Sequence, residues 1–164
     1  MNETYVECMV KRKTPVYMLL LRTLTIMLAA CFVLIGLMIP LALIIGVIIG
    51  AAAYFVYMRS DLEYEYLYVD KELTIDRIMA KSRRKRIETF DLERMEIIAP
   101  VKSHQLDSYK NRTCKVVDYS SGEEKQPDRR YAFYYNGEKK LILEPSPEMI
   151  KAMKMVAPRK VFTD

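Results

Sequence analysis

The chain has 164 residues, of which 51% are hydrophobic and 29% are charged, and its formal net charge at pH 7 is +5. This length leaves room for one ordinary domain beside any membrane segment. The three cysteines, Cys8, Cys31 and Cys114, are widely separated, which excludes a disulfide framework and any C-x-x-C metal or redox motif.

Charge and hydrophobicity are segregated along the chain. The segment Thr23–Met58 contains no charged residue. It is longer than one bilayer crossing, which takes about 20 helical residues. The segment is too long for one helix and too uniformly apolar for the core of a soluble protein. We therefore predict a basic N-terminal arm at 1–15, a transmembrane helical hairpin at 16–58 and a soluble domain at 59–164.

Gly36 and Pro40 mark the turn of this hairpin, because proline disfavours the helical conformation of the residue before it. The predicted helices run at about 16–37 and 40–58, and Arg22 would extend towards the headgroups from the first turns. Basic residues flank the hairpin and its turn is uncharged. The positive-inside rule then predicts that both termini are cytoplasmic.

Small residues recur at every fourth position of the second predicted helix, at Ala42, Gly46 and Gly50. Such residues let helices approach closely in lipid. The contact is made either with the first helix of the same hairpin or with a second copy of the chain.

The segment LAAC at 28–31 resembles a lipoprotein cleavage site. Cleavage before Cys31 would leave a lipid-anchored chain. The apolar run continues long after Cys31, however, where a lipoprotein would turn polar, so we favour a packing role for this cysteine.

The segment 59–164 alternates between apolar and polar residues, which predicts a series of strands. They lie at about 63–69, 72–79, 85–90, 94–99, 113–119, 130–136 and 138–144. Tyr64, Tyr66 and Tyr68 share one strand face, which is either a half-buried sheet face or a partner surface. Ser146 and Pro147 are typical of a helix start and predict a helix at 147–157.

Seven strands followed by one helix is the layout of the pleckstrin-homology (PH) superfold. The second to fourth predicted strands carry a further pattern, at Asp70, Leu73, Ile75, Ile87, Phe90, Leu92 and Met95. In these residues the chain resembles an uncharacterised family of small membrane proteins from Gram-positive anaerobes, which have a two-helix hairpin and a bacterial PH-like domain. The resemblance implies a multi-pass protein of the bacterial inner membrane, of mixed α and β class. Its domain would be a bent, seven-stranded antiparallel barrel capped by one C-terminal helix.

A run of five basic residues follows the second predicted strand. They are Lys81, Arg83, Arg84, Lys85 and Arg86. A basic cluster near a membrane segment favours a patch for anionic headgroups or for a protein partner. The alternative is a solvated hairpin tip balanced by the acidic residues that follow. Nucleic acid is the weaker choice of partner, since no helix presents the run.

The sequence contains no motif for nucleotide binding, hydrolysis or metal binding, and its one histidine, His104, has no Cys/His cluster nearby. We expect no enzyme activity, no cofactor and no metal. The prediction is a membrane-anchored binding or scaffold protein of unknown ligand. The alternative is an accessory subunit of a larger membrane complex that assembles through the hairpin. Self-association stays open.

Overall fold

Eight strands and three α-helices make up residues 5–163, the part of the chain that the computed structural model describes. The first elements are β1 (Val6–Lys11), α1 (Val16–Gly36), α2 (Pro40–Ser60), β2 (Leu62–Val69), β3 (Glu72–Met79) and β4 (Arg83–Asp91). Then follow β5 (Met95–Pro100), a 3₁₀ helix (His104–Tyr109), β6 (Lys115–Asp118), β7 (Tyr131–Tyr135), β8 (Lys139–Leu143) and α3 (Pro147–Val156). The chain divides into a helical unit, 13–62 with 79–83, and a sheet unit that contains the other described residues.

The helical unit is a hairpin of two 21-residue helices. Ile39 is extended, and Pro40 occupies the first position of α2, where its missing N–H costs nothing. The less exposed positions on α1 are Met18, Arg22, Thr25, Ala29, Phe32 and Gly36, and those on α2 include Ala42, Gly46, Ala53 and Ser60. Their spacing of three and four residues is typical of two helices packed along their length.

The sheet unit contains two four-stranded sheets, ordered β1-β2-β3-β4 and β5-β7-β8-β6. The prediction of one seven-stranded antiparallel barrel is therefore wrong in strand number and in closure. It is also wrong in direction for one pair, because β6 runs parallel to β8, with Val117 opposite Leu141. The two apolar helices and the single helix after the last strand are confirmed.

The additional strand is β1, which lies in the segment predicted to be a basic arm. It pairs antiparallel with β2, and Lys11 is opposite Glu63. Val10 is buried, and Val6 and Cys8 pack against the core, whereas Glu7 and Met9 are exposed. The arm thus contributes a half-buried strand of period two to the sheet unit.

One hydrophobic core joins both sheets and α3. Tyr66 and Tyr68 are almost fully buried in it, beside Phe90 and Phe133. This burial places the tyrosine row of β2 in the interior, so it is not a partner surface. The helix α3 begins at Ser146, whose Oγ accepts a hydrogen bond from the Met149 N–H at 3.2 Å. Its buried face is Met149, Ile150, Ala152 and Met153.

Candidate functional site

The basic run begins in a tight turn of the helical unit. Ala80 and Lys81 both have positive φ, 47° and 54°, and the Ser82 N–H donates to the carbonyl of Met79 at 3.1 Å. The Ala80 N–H donates to the carbonyl of Asp61 at 2.8 Å, and Asp61 is the residue that follows α2. The turn is therefore fixed beside the end of α2, and it carries Lys81 and Arg83 there.

The rest of the run lies on a strand, because β4 begins at Arg83 and not at residue 85 as predicted. Arg84 Nε donates to Asp76 Oδ2 at 2.8 Å, and its Nη2 forms an ion pair with Glu65. Arg86 Nε lies 3.5 Å from Asp76 Oδ1. Arg84 and Arg86 thus have a partner on the adjacent strand β3, and Arg84 has a second one on β2, which the solvated-tip interpretation did not foresee.

Burial explains why these carboxylates hold the arginines. Glu65 is 4% exposed and Asp76 is 3% exposed. Burial raises the pKa of Glu65, and a hydrogen bond with Glu7 raises it further, while the charge of Arg84 lowers it. The pKa of Arg84 is raised by its hydrogen bond to Asp76. Because a buried carboxylate without a cation is costly, Arg84 has a structural role in this sheet.

The other three cations of the run have a different environment. Lys81, Arg83 and Lys85 are exposed, and none of them forms an ion pair with any residue between 5 and 163. Of the five predicted residues, these three are therefore available to an external anion. The sequence could not separate them from Arg84 and Arg86, since it did not reveal which strands lie beside β4.

The small residues of α2 have two different environments. Ala42 is buried, and a Cβ on Gly46 would lie 3.2 Å from the main-chain nitrogen of Val33 on α1. A Cβ on Gly50 would meet nothing within 4 Å. Gly46 therefore belongs to the contact inside the hairpin, whereas Gly50 leaves an open notch.

The outer faces of both helices are covered with exposed aliphatic and aromatic side chains, and the helices are long and apolar enough to cross a membrane. Between Val16 and Met58 the one charged residue is Arg22. Its guanidinium lies 4.4 Å from the ring centroid of Tyr57, near the end of α2. This cation–π contact gives the charge a partner inside the hairpin.

The remaining candidates for chemistry are dispersed. His104 is exposed, with Nδ1 3.7 Å from Asp107 Oδ2. Cys31 lies within the unbroken helix α1, and all three cysteines are free. Among residues 5–163, no group of three or more His, Cys, Asp or Glu side chains is arranged to hold a metal ion.

Comparison with known proteins gives one match. The sequence matches the family described as Bacterial PH-like domain (DUF6106) over residues 2–163, nearly its whole length. Searches of curated proteins and of solved structures found no match.

Proposed function

Because the chain belongs to the bacterial PH-like domain family DUF6106, we propose that it is a membrane-anchored binding or scaffold protein without catalytic activity. The hairpin of α1 and α2 is the anchor and crosses the inner membrane twice. The sheet unit lies on the cytoplasmic side and binds a partner or the membrane surface. The observation that carries this proposal is the pairing of β1 with β2, one strand on each side of the hairpin in sequence.

This pairing bears directly on the number of crossings. Lys11 and Glu63 are opposite each other, and paired strands lie about 4.8 Å apart. The chain therefore enters and leaves the hairpin at one place. A single crossing would separate β1 from β2 by a bilayer, so the pairing favours an even number of crossings.

The orientation follows from the charges of the helical unit. One end of the hairpin is where the chain enters α1 and leaves α2. This end carries the basic residues Lys13, Arg59, Lys81 and Arg83. The opposite end, Leu37–Ile39, carries no charge. The positive-inside rule assigns the charged end to the cytoplasm.

The same arrangement favours contact between the basic turn and anionic headgroups. The hydrogen bond from Ala80 to Asp61 keeps the turn at the end of α2, which is the depth of the headgroups if α2 crosses the bilayer. A basic residue at an anionic surface contributes about 1 kcal/mol. Lys81 and Arg83 would then recruit anionic lipid, while Arg84 stays with Asp76.

Topology is the first test. A reporter that is active on one side of the membrane is fused after Asp164, and a second is inserted between Met38 and Ile39. We expect the two reporters to be on opposite sides, with the C-terminal one cytoplasmic. Reporters on the same side would contradict the double crossing, and an external C-terminus would contradict the orientation.

The lipid contact is tested separately, using the absence of tryptophan from the sequence. A Ser82→Trp variant of the full chain is reconstituted in bilayers that contain brominated phosphatidylglycerol or brominated phosphatidylcholine. We expect stronger quenching by the anionic lipid, and loss of the difference when Lys81→Gln and Arg83→Gln are added. The matched control removes two exposed cations elsewhere, Lys115→Gln and Arg159→Gln, and keeps the difference. Equal quenching by both lipids would contradict anionic recognition at the turn.

An accessory role in a larger membrane complex is the second candidate, and the open notch at Gly50 favours it. Under this alternative a partner helix would pack against Gly50, and Gly50→Leu would release the chain from a complex extracted in mild detergent. If the complex survives Gly50→Leu, the notch is not the contact.

A further inference from the structure

A groove of the sheet unit lies between the edge of β1 and the start of α3. Its first part is a cavity of about 390 Å³, lined on one side by β1 and on the other by the segment that leads into α3. Its lining includes Cys8, Met9, Lys11, Lys125, Arg129 and Pro145. A contact of 3.9 Å between the Cys8 thiol and the carbonyl of Glu144 joins the two sides.

A second cavity, of about 430 Å³, continues this groove along α3. The two cavities share Arg129, Pro145 and Pro147. The second one adds Ile150 and other apolar surface. We call the two together the β1–α3 groove. Arg129 lines both cavities, and two adjoining cavities suit an extended chain better than a compact small molecule.

The strand β1 is the outer strand of its sheet, paired only with β2 among the described elements. One row of its N–H and C=O groups is therefore not used by the sheet. Edge strands of this kind accept an added strand, which gains main-chain hydrogen bonds along its length. The wall opposite β1 contains Pro145 and Pro147, which have no N–H groups to compete for such bonds.

The charges of the groove favour an acidic occupant. Its basic residues are Lys11, Lys125, Arg129 and Lys151, and its acidic residues are Asp128 and Glu144. Both acidic side chains already accept hydrogen bonds within the fold, Glu144 from the Ser121 N–H at 3.2 Å and Asp128 from Arg130 at 2.9 Å.

Two of the basic side chains, Arg129 and Lys151, are less fully engaged. Lys125 is paired with Glu123 at 2.6 Å, but Arg129 and Lys151 have no ion-pair partner among residues 5–163. The N-terminus of α3 at Pro147 adds partial positive charge to the same groove.

We propose that the β1–α3 groove binds an acidic peptide segment in extended conformation, which pairs with the free edge of β1 and places a carboxylate on Arg129. Apolar side chains that alternate with the acidic ones pack on Met9, Tyr131 and Ile150. The groove shares no residue with the basic run at 81–86, so this inference does not depend on lipid binding at the turn.

The test uses the full chain in detergent micelles and a labelled peptide in which Glu and Val alternate. Fluorescence anisotropy measures its dissociation constant. Two comparison peptides separate the contribution of charge from that of strand pairing. One replaces Glu by Lys and so reverses the charge. The other replaces Val by Pro, which keeps the charge but removes N–H donors and strand geometry. We expect binding of the Glu–Val peptide and at least about tenfold weaker binding of both comparison peptides.

Variants of the protein locate the site. Arg129→Glu is expected to weaken binding of the Glu–Val peptide by about tenfold or more, because the reversed charge repels the carboxylates of the peptide. Arg159→Glu makes the same charge change at an exposed position outside the groove and should leave affinity unchanged. Circular dichroism of both variants verifies that the fold is retained.

Three results would overturn the proposal. The first is no binding of the Glu–Val peptide. The second is an equal loss of affinity for this peptide in Arg129→Glu and Arg159→Glu. The third is binding of soluble short-chain phosphatidylglycerol that depends on Arg129 while the peptide does not bind. That last result would make the groove a lipid site instead. Equal binding of the proline-containing peptide would overturn the pairing with β1 in particular.

Discussion

The hydroxyl of Tyr66 donates a 2.6 Å hydrogen bond to the main-chain oxygen of Tyr119, which links β2 to the loop after β6. The same hydroxyl accepts from the Glu144 N–H at 3.4 Å. Tyr68, two residues further on the same strand face, is equally buried, yet its hydroxyl has no hydrogen-bond partner among the described residues. Two buried tyrosines of one strand therefore differ in whether the hydroxyl has a hydrogen-bond partner.

This difference predicts opposite effects of the same substitution. Tyr66→Phe leaves the Tyr119 carbonyl without its buried donor and should lower the free energy of unfolding by about 1–3 kcal/mol. Tyr68→Phe removes an unsatisfied buried hydroxyl and should be neutral or stabilising by up to about 1 kcal/mol. Urea unfolding of the full chain in micelles measures both. Equal losses would show that the hydroxyl of Tyr68 also has a partner in solution.

Asp128 predicts an acid-dependent loss of stability. Hydrogen bonds from Arg130 lower the pKa of Asp128 from 3.8 to about 2. Since the folded pKa lies below the unfolded one, the carboxylate stabilises the fold above pH 3.8, and this contribution disappears as the pH falls towards 2. We expect a loss of roughly 1–2 kcal/mol across that interval. Asp128→Asn should make the free energy of unfolding less dependent on pH in this interval. Asp70→Asn, which changes an exposed carboxylate, should not. A similar slope in Asp128→Asn and the wild type would contradict this assignment.

Gly46 and Gly50 form a matched pair for the hairpin. Gly46→Leu forces a side chain against the backbone of α1, whereas Gly50→Leu enters open space. Both changes gain the same helix propensity, so the difference isolates the helix contact. We expect Gly46→Leu to be less stable than Gly50→Leu by about 1–3 kcal/mol, measured by SDS titration in mixed micelles. The opposite order would mean that the face with Gly50 makes the contact.

We expect Arg84 to contribute to the free energy of unfolding and its neighbour Lys85 to contribute little. Arg84→Met leaves the buried Glu65 without its cation and leaves Asp76 with only its 3.5 Å contact to Arg86. We expect a cost of about 1–3 kcal/mol, below that of a fully buried pair because Arg84 itself is half-exposed. Lys85→Met removes the same charge from an exposed side chain and should change stability little.

The pH dependence of the Arg84→Met variant separates this role from simple packing. The pKa of Glu65 is already raised in the fold, so the folded state holds that proton more tightly than the unfolded state. The penalty for a bare carboxylate is then present at neutral pH and falls as acid protonates Glu65. We expect the gap between Arg84→Met and wild type to narrow on acidification. A gap that is constant with pH would indicate lost packing instead.

The sequence predicted features that depend on local patterns and missed those that depend on distant partners. The uncharged run predicted two helices with a break at Pro40, because hydrophobicity and proline geometry act locally. The strand β1 was missed because its six residues gain their partner only in β2, on the other side of the hairpin in sequence. The strand position of Arg84 was missed for a related reason. Four cations in a row resemble a solvated turn until Glu65 and Asp76 are placed beside them.

The dependence of the sheet on β1 gives the last prediction. A fragment that begins at residue 61, after α2, lacks β1 and exposes the edge of β2, although the charge pattern predicted a soluble domain at 59–164. It also loses Val10 from the core and the bond of 2.8 Å from Arg12 to the Asp118 carbonyl. We expect this fragment to be poorly folded by NMR, and a synthetic peptide of residues 5–12 to restore dispersed spectra when added in trans. The same peptide with Val10→Asp is the control and should not restore them, because a buried charge replaces an apolar side chain. A fragment that folds with full stability and ignores the peptide would mean that β1 adds to the sheet without being required by it.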